Sequence, residues 1–271
     1  MSTSVTRIQH DKVLEIILNR PPVNAIDLRT STDLYEAFKD FQENPRLRVA
    51  VLTAAGERLF SAGWDLKEYA ANGDDLLASG DYDLGPGGLG GLSEFWGLSK
   101  PVIAAVNGKA IGGGFEMLLA ADLIIAAEHA QFMLPETRLG FLPDAGGLQR
   151  LAKRLPYNLA AELMLTGRAM GADEAQRWGL VCQVVPAAEL RERSLALAQH
   201  IAEGAPLAQQ AMKEVLAQTH ALNVEAAFAC TRRAWQGNSS LPAYEKMLHS
   251  DDYLEGSRAF TEKRKPVYKG C

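Results

Sequence analysis

The sequence predicts an α/β fold that gives way to a purely helical C-terminal region. Three observations carry this. Short buried apolar runs alternate with stretches of helical period through the first two thirds of the chain; glycine-containing turns sit where strands hand over to helices; and from Ala187 onward only helical periodicity remains. Strands alternating with helices imply a largely parallel sheet with crossover connections. The pattern divides the chain into residues 1–195, an α/β core, and residues 196–271, a helical region.

The segment "VTRIQHDKVLEIIL" alternates apolar positions about His10-Asp11-Lys12 and reads as a β-hairpin. In "NRPPVNAID" the prolines at 21 and 22 forbid a helix or central strand, so an extended backbone with free polar groups is expected. A helix follows over Ser31 to Gln42, with Leu34, Phe38 and Phe41 on one face. "RVAVLTAAG" is a buried strand, "SAGWDLKEYAA" a loop entering a helix, and Ala71 to Leu92 the loosest stretch. Val102 to Val106 reads as a strand, "GGGFEMLLAAD" as a turn into a helix, and "LIIAAEHAQFML" as one strand. "LQRLAKRL" and "LAAELMLTG" are helical and "LVCQVV" is a strand. Helices over Leu190 to Ala202, Leu207 to Thr219, Val224 to Trp235 and Tyr253 to Lys263 complete the chain.

Composition narrows the function. With 271 residues, 47% of them hydrophobic, the chain is long enough to bury a large core. A net charge of -5 argues against a nucleic-acid partner. No run reaches the length of a membrane span, and the N-terminus lacks the basic flank and apolar stretch of a signal peptide. Cys182, Cys230 and Cys271 stand far apart, which fits a reducing, cytoplasmic setting better than a disulfide framework. The five histidines lack metal-ligand spacing, no G-x-S-x-G elbow occurs, and "GPGGLG" at Gly85 to Gly90 follows no strand, so it reads as a mobile loop.

The chemistry concentrates in "AIGGGFEMLLAAD". Glycine weakens an element interior, so three in a row before Glu116 call for a reason. One is close helix-sheet packing, with Glu116 favoured at a helix start. The other is that bare backbone lets a substrate oxygen reach N–H groups left unpaired in the first helical turn. A second glycine turn, "FSAGWDLKE", also leads into a helix and can supply a second donor, as an oxyanion hole requires. A second carboxylate, Glu136 in "LPETRLGFLPDAGG", suits addition or removal of water, where one group moves a proton at carbon and another handles the water. Asp144 is an alternative acid or base, or a turn former before Ala-Gly-Gly.

These three segments together resemble the crotonase (enoyl-CoA hydratase/isomerase) family over nearly the whole chain. The resemblance implies a stack of ββα turns followed by helices that build trimers, often paired into hexamers; the strand-helix reading alone does not separate this from a doubly wound sheet. It implies oxyanion donors at the N–H groups of Ala62 and Gly113, and Glu116 and Glu136 as the catalytic pair. Coenzyme A enters as part of the substrate, with no permanently bound cofactor, held by Asn24, Ala25, Ile26 and by Ala62, Gly63, Trp64, Asp65 and Leu66. Phe260, Lys263 and the basic run "EKRKPVYKG" resemble the stretch that reaches CoA phosphates, sometimes those of a neighbouring subunit.

Tryptophan in "SAGWDLK", the "GPGGLGGLSEFWGLSKPVIAAVNG" stretch and the aspartate of "LPDAGG" resemble the branch that interconverts L-carnitinyl-CoA with crotonobetainyl-CoA and water. A trimethylammonium group donates no ordinary hydrogen bond and favours aromatic faces, for which Trp64, Tyr69, Phe95, Trp96 and Phe141 are the candidates. An ordinary short-chain 2-enoyl-CoA hydratase and a catalytically silent CoA-binding member stand as the rivals.

Overall fold

In a computed structural model, which describes residues 4–68, 70, 84–238 and 240–271, two sheets share the strands by a regular alternation. A hairpin of β1 (Val5–His10) and β2 (Val13–Leu18) opens the chain, and helix α1 (Leu28–Glu43) follows. Then come β3 (Val49–Ala54) and β4 (Leu59–Ser61), β5 (Val102–Val106) and β6 (Lys109–Ile111), helix α2 (Gly113–Leu118), and β7 (Leu123–Ala127) and β8 (Gln131–Met133). The first strand of each pair enters a six-stranded sheet of order β1-β2-β3-β5-β7-β10, with β10 at Gln183–Val185. The second enters a four-stranded sheet of order β4-β6-β8-β9, with β9 at Met170–Gly171. All neighbours are parallel except β1 with β2 and β8 with β9.

This winding is the stack of ββα turns that the resemblance implies, and it corrects one assignment. "LIIAAEHAQFML" is two strands, because the exposed turn at Glu128 and His129 carries the chain from one sheet to the other. His129 Nε2 lies 2.7 Å from Glu57 O, tying that turn to the preceding one.

The central strands of the large sheet are covered on both faces, which is why β5 is buried at every residue and reads as an unbroken apolar run. On one face, α1 packs Leu34, Phe38 and Phe41, all fully buried. Its start is set by Asp27, whose carboxylate accepts the Thr30 N–H at 2.7 Å. On the other face, Leu190, Ala198 and Ala202 pack against Val13, Val49, Val51 and Ile103.

Helices α3 (Gly147–Arg154), α4 (Tyr157–Thr166) and α5 (Ala172–Arg177) precede β10. After it, α6 (Leu190–Ala202) runs unbroken through residue 195 and belongs with the sheet it covers. Beyond lie α7 (Pro206–Thr219), α8 (Val224–Trp235), α9 (Pro242–Leu248) and α10 (Glu255–Thr261), with their own small core of Cys230, Ala234 and Leu241. Arg48 fastens the end of the chain to this body, donating to Ala202 O at 2.9 Å and Tyr268 O at 2.5 Å. No described helix is long and apolar enough to cross a membrane.

Two loop expectations change. The Pro21-Pro22 segment forms a tight turn in place of an extended backbone, with Asn24 N–H donated to Arg20 O at 2.8 Å and Asn24 itself at φ 50°. Gly85 to Gly90 forms a packed turn: Gly87, Gly88 and Gly90 are buried, and a Cβ at the adjacent Gly91 would collide with the Tyr35 backbone of α1. Of the stretch read as loosest, residues 71–83 lie outside those described.

Candidate active site

The glycine turn before Glu116 sits where β6 meets α2, and each glycine is bare for a different reason. A Cβ on Gly112, at φ 54°, would stand 2.7 Å from Glu136 Oε1. One on Gly113 would strike the Leu89 side chain and come within 3.4 Å of Trp64 N. One on Gly114 would lie 2.8 Å from Ser61 O. Close packing thus explains the missing side chain at all three positions.

The second glycine turn adjoins the first. Gly63 is at φ 84°, and a side chain there would meet Ile111 O at 2.7 Å and Gly113 N at 2.9 Å. Only glycine lets the two loops approach so closely. The amides, however, are not distributed as the resemblance implies. Ala62 N–H is donated to Val23 O at 3.0 Å, and Gly63 N–H to Ser61 Oγ at 3.1 Å. Ala62 is thus corrected as an oxyanion donor, because its hydrogen is already engaged within the fold. The amides of Trp64 and Gly113 donate no hydrogen bond among the described residues, and both residues line one cleft of about 530 Å³. Sequence alone cannot show which of successive amides in "SAGW" is engaged; the pairing with Val23 decides it.

Both glutamates line this cleft. Glu116, 4% exposed, follows Gly112 in the first turn of α2, and its Oε1 accepts the Gly147 N–H at 2.9 Å. Glu136, 9% exposed, is set by Pro135 at the start of a 3-10 turn over Glu136–Leu139, and its Oε2 is buried with no hydrogen-bond partner. Burial is the main force on both carboxyls. It pushes the Glu116 pKa up to about 8, with the charges of Glu136 and Asp144 adding to the rise and the N–H groups of Gly147 and Ala145 opposing it. It also raises the Glu136 pKa, and the Asp144 charge acts in the same direction. Burial thus disfavours the charged form of both acids, more strongly at Glu116.

Asp144 lines the cleft from an exposed position. Trp64 and Phe141 are lining residues too, and the Trp64 indole Nε1 is buried without a partner. Phe95 and Trp96 are not. Phe95 packs on Tyr35 of α1, ring centroids 5.0 Å apart, and Trp96 is 80% exposed with the Arg150 guanidinium over its ring. Both are corrected as pocket residues; Tyr69 lies outside the described residues. Leu84, Leu89, Ile111, Leu139 and Leu142 supply most of the apolar wall, a contribution that nothing in their local sequence marks.

The segments expected to hold CoA come together. Ile26 pairs with Trp64 in a parallel bridge, Ile26 N–H donating to Gly63 O and Asp65 N–H to Ile26 O, each at 2.8 Å. Arg20 braces them, donating to Ala25 O at 3.1 Å and pairing with Asp27 and Asp65. Leu66 lines the cleft. The Asn24 side chain is instead consumed by the fold, donating to Ala55 O and accepting from Arg20 N–H. Phe260, 84% exposed, and Lys263, also exposed, are not among the cleft's lining residues in this chain.

Comparison with known proteins identifies the family. Residues 9–271 match the family model described as enoyl-CoA hydratase/isomerase. Proteins named carnitinyl-CoA dehydratase from Shigella flexneri and Escherichia coli (strain K12) are each 50% identical over 270 residues, covering 100% of both chains. Among solved structures, an enoyl-CoA hydratase from Mycobacterium tuberculosis H37Rv superposes with a TM-score of 0.85 at 35% identity, covering 100% of each chain. One from Bacillus anthracis gives 0.85 at 35% identity, over 99% of this chain and 100% of that one. The chain has the crotonase fold, is a hydro-lyase acting on CoA thioesters, and belongs to the enoyl-CoA hydratase/isomerase family.

Proposed function

We propose that this enzyme interconverts L-carnitinyl-CoA with crotonobetainyl-CoA and water. The observation that carries the reading is a pair of buried carboxyls with raised pKa, Glu116 and Glu136, in one cleft with the unpartnered amides of Trp64 and Gly113. The full-length likeness to proteins named carnitinyl-CoA dehydratase supports this acyl group.

In the dehydration direction, the thioester oxygen lies between the Trp64 and Gly113 N–H groups. The Glu136 carboxylate takes the α-proton, and the electron pair moves onto that oxygen as an enolate. Each preorganised donor stabilises such a charge by about 3 kcal/mol. The enolate then collapses to the α,β double bond as the β C–O bond breaks, and Glu116, which at neutral pH carries its proton, passes it to the departing hydroxyl. Hydration retraces these steps with the protons exchanged. The assignment follows the stronger rise at Glu116, which makes it the acid of the resting pair.

Coenzyme A is held as part of the substrate, with the 24–26 and 62–66 backbone lining its path. Phe260 and Lys263 act toward the CoA of a neighbouring subunit in a trimer or a dimer of trimers. Exposed Met212, Leu216, Phe228 and Trp235 on the C-terminal helices support such assembly. The free cysteines at 182, 230 and 271 suit the cytoplasm.

A general short-chain 2-enoyl-CoA hydratase is the second reading, favoured by the apolar wall of the cleft. Turnover on crotonobetainyl-CoA and crotonyl-CoA, measured side by side, separates the two. A higher kcat/KM for the betaine is expected; preference for crotonyl-CoA would establish the second reading.

A further inference from the structure

The charge of the cleft is one-sided. Glu116, Glu136 and Asp144 line it, and among the described residues no lysine, arginine or histidine does. Arg150, whose guanidinium feels the Glu116 charge, is engaged elsewhere: it donates to Ser93 O at 2.6 Å and stacks 5.6 Å from the centre of the Trp96 ring. Glu136, nine-tenths buried, keeps one oxygen without a partner in the same space.

Asp144 is the member of the three that proton chemistry does not use. Moving water on and off an acyl chain takes two carboxyls, and both are accounted for. The Asp144 carboxyl has no hydrogen bond or ion pair among the described residues, although its charge reaches both glutamates. That charge makes each of them harder to ionise, a cost for the chemistry unless the substrate offsets it. An aliphatic acyl group brings nothing to do so. A quaternary ammonium does, and because it donates no hydrogen bond it is held by charge and by aromatic faces, two of which, Trp64 and Phe141, line the same cleft.

We propose that Asp144 is the specificity residue that selects a cationic acyl group, with Trp64 and Phe141 as the faces against which the quaternary ammonium rests. This rests on the reading of the cleft as a thioester hydratase, and it adds a residue and a physical discriminant to it.

The test compares two thioesters of the same shape: crotonobetainyl-CoA, and the tert-butyl analogue in which carbon replaces the ammonium nitrogen. The readout is the ratio of their kcat/KM values within each protein, so loss of folded protein and changes in glutamate ionisation cancel. The ratio favours the cation in the wild type and falls by about tenfold in Asp144→Asn, mostly through KM, with Asp144→Glu restoring most of it. Should Asp144→Asn fold poorly, salt provides the second arm. In the wild type, raising ionic strength lowers the ratio, because CoA phosphate contacts are common to both thioesters and the acyl charge is not. A ratio within twofold of wild type in Asp144→Asn, or a salt-independent ratio in the wild type, overturns the proposal. A wild type that hydrates neither thioester overturns the underlying reading of the site instead.

Discussion

Glu136 occupies the space that a side chain at Gly112 would need, its Oε1 lying 2.7 Å from where that Cβ would stand. The glycine and the carboxylate are therefore one arrangement, although they lie in separate turns of the winding. Gly112→Ala meets both this contact and the strain of a positive φ of 54°. The expected result is a destabilisation of about 1–3 kcal/mol, with kcat lower by about 100-fold because the carboxylate is displaced. Thermal melts and steady-state kinetics on the same preparation check both parts.

The oxyanion assignment is testable through the backbone. Trp64→Ala and Trp64→Pro both remove the indole, but only proline removes the N–H. Proline is expected to cost a further factor of about 100 in kcat beyond alanine, the effect of one lost donor. Equal rates in the two variants would return the role to another amide.

Glu116 links function to stability. Its pKa in the folded protein is about 8, above its ordinary value of 4.5, so between those pH values the folded state binds more protons than the unfolded one. Stability from this group accordingly declines as pH rises from about 4.5 to about 8. Glu116→Gln keeps an acceptor for the Gly147 N–H and removes the burden of a buried charge. The variant is expected to match wild type near pH 5 and to exceed it by about 2–4 kcal/mol at pH 9. Melting temperatures across that range decide the matter, and a gain that does not grow with pH would place the origin elsewhere.

How far the sequence discloses this site depends on the distance over which each signal acts. The strand Val102–Val106 is legible because a parallel strand covered on both faces must be apolar throughout. Helices Leu190–Ala202 and Val224–Trp235 match their expected limits because a long periodic run defines itself. Leu59–Ser61 and Lys109–Ile111 escape notice, since three residues carry no period, yet they build the second sheet and set the two glycine turns side by side. Glu116 and Glu136 stand out as carboxylates beside glycine and proline. That Ala62 is engaged with Val23 while Trp64 is not depends on a distant loop, and no local pattern reports it. Phe95 and Trp96 illustrate the same limit: aromatic character is visible in sequence, but the direction each ring takes is not.

The central claim is that Glu116 and Glu136 together move water on and off a CoA thioester in this cleft. Its most direct test is the hydration of crotonobetainyl-CoA by the wild type and by Glu116→Gln and Glu136→Gln, each shown to be folded by its melt. The account predicts measurable turnover in the wild type and a drop of about 100-fold or more in each variant. Wild-type turnover retained within twofold in both variants would contradict it.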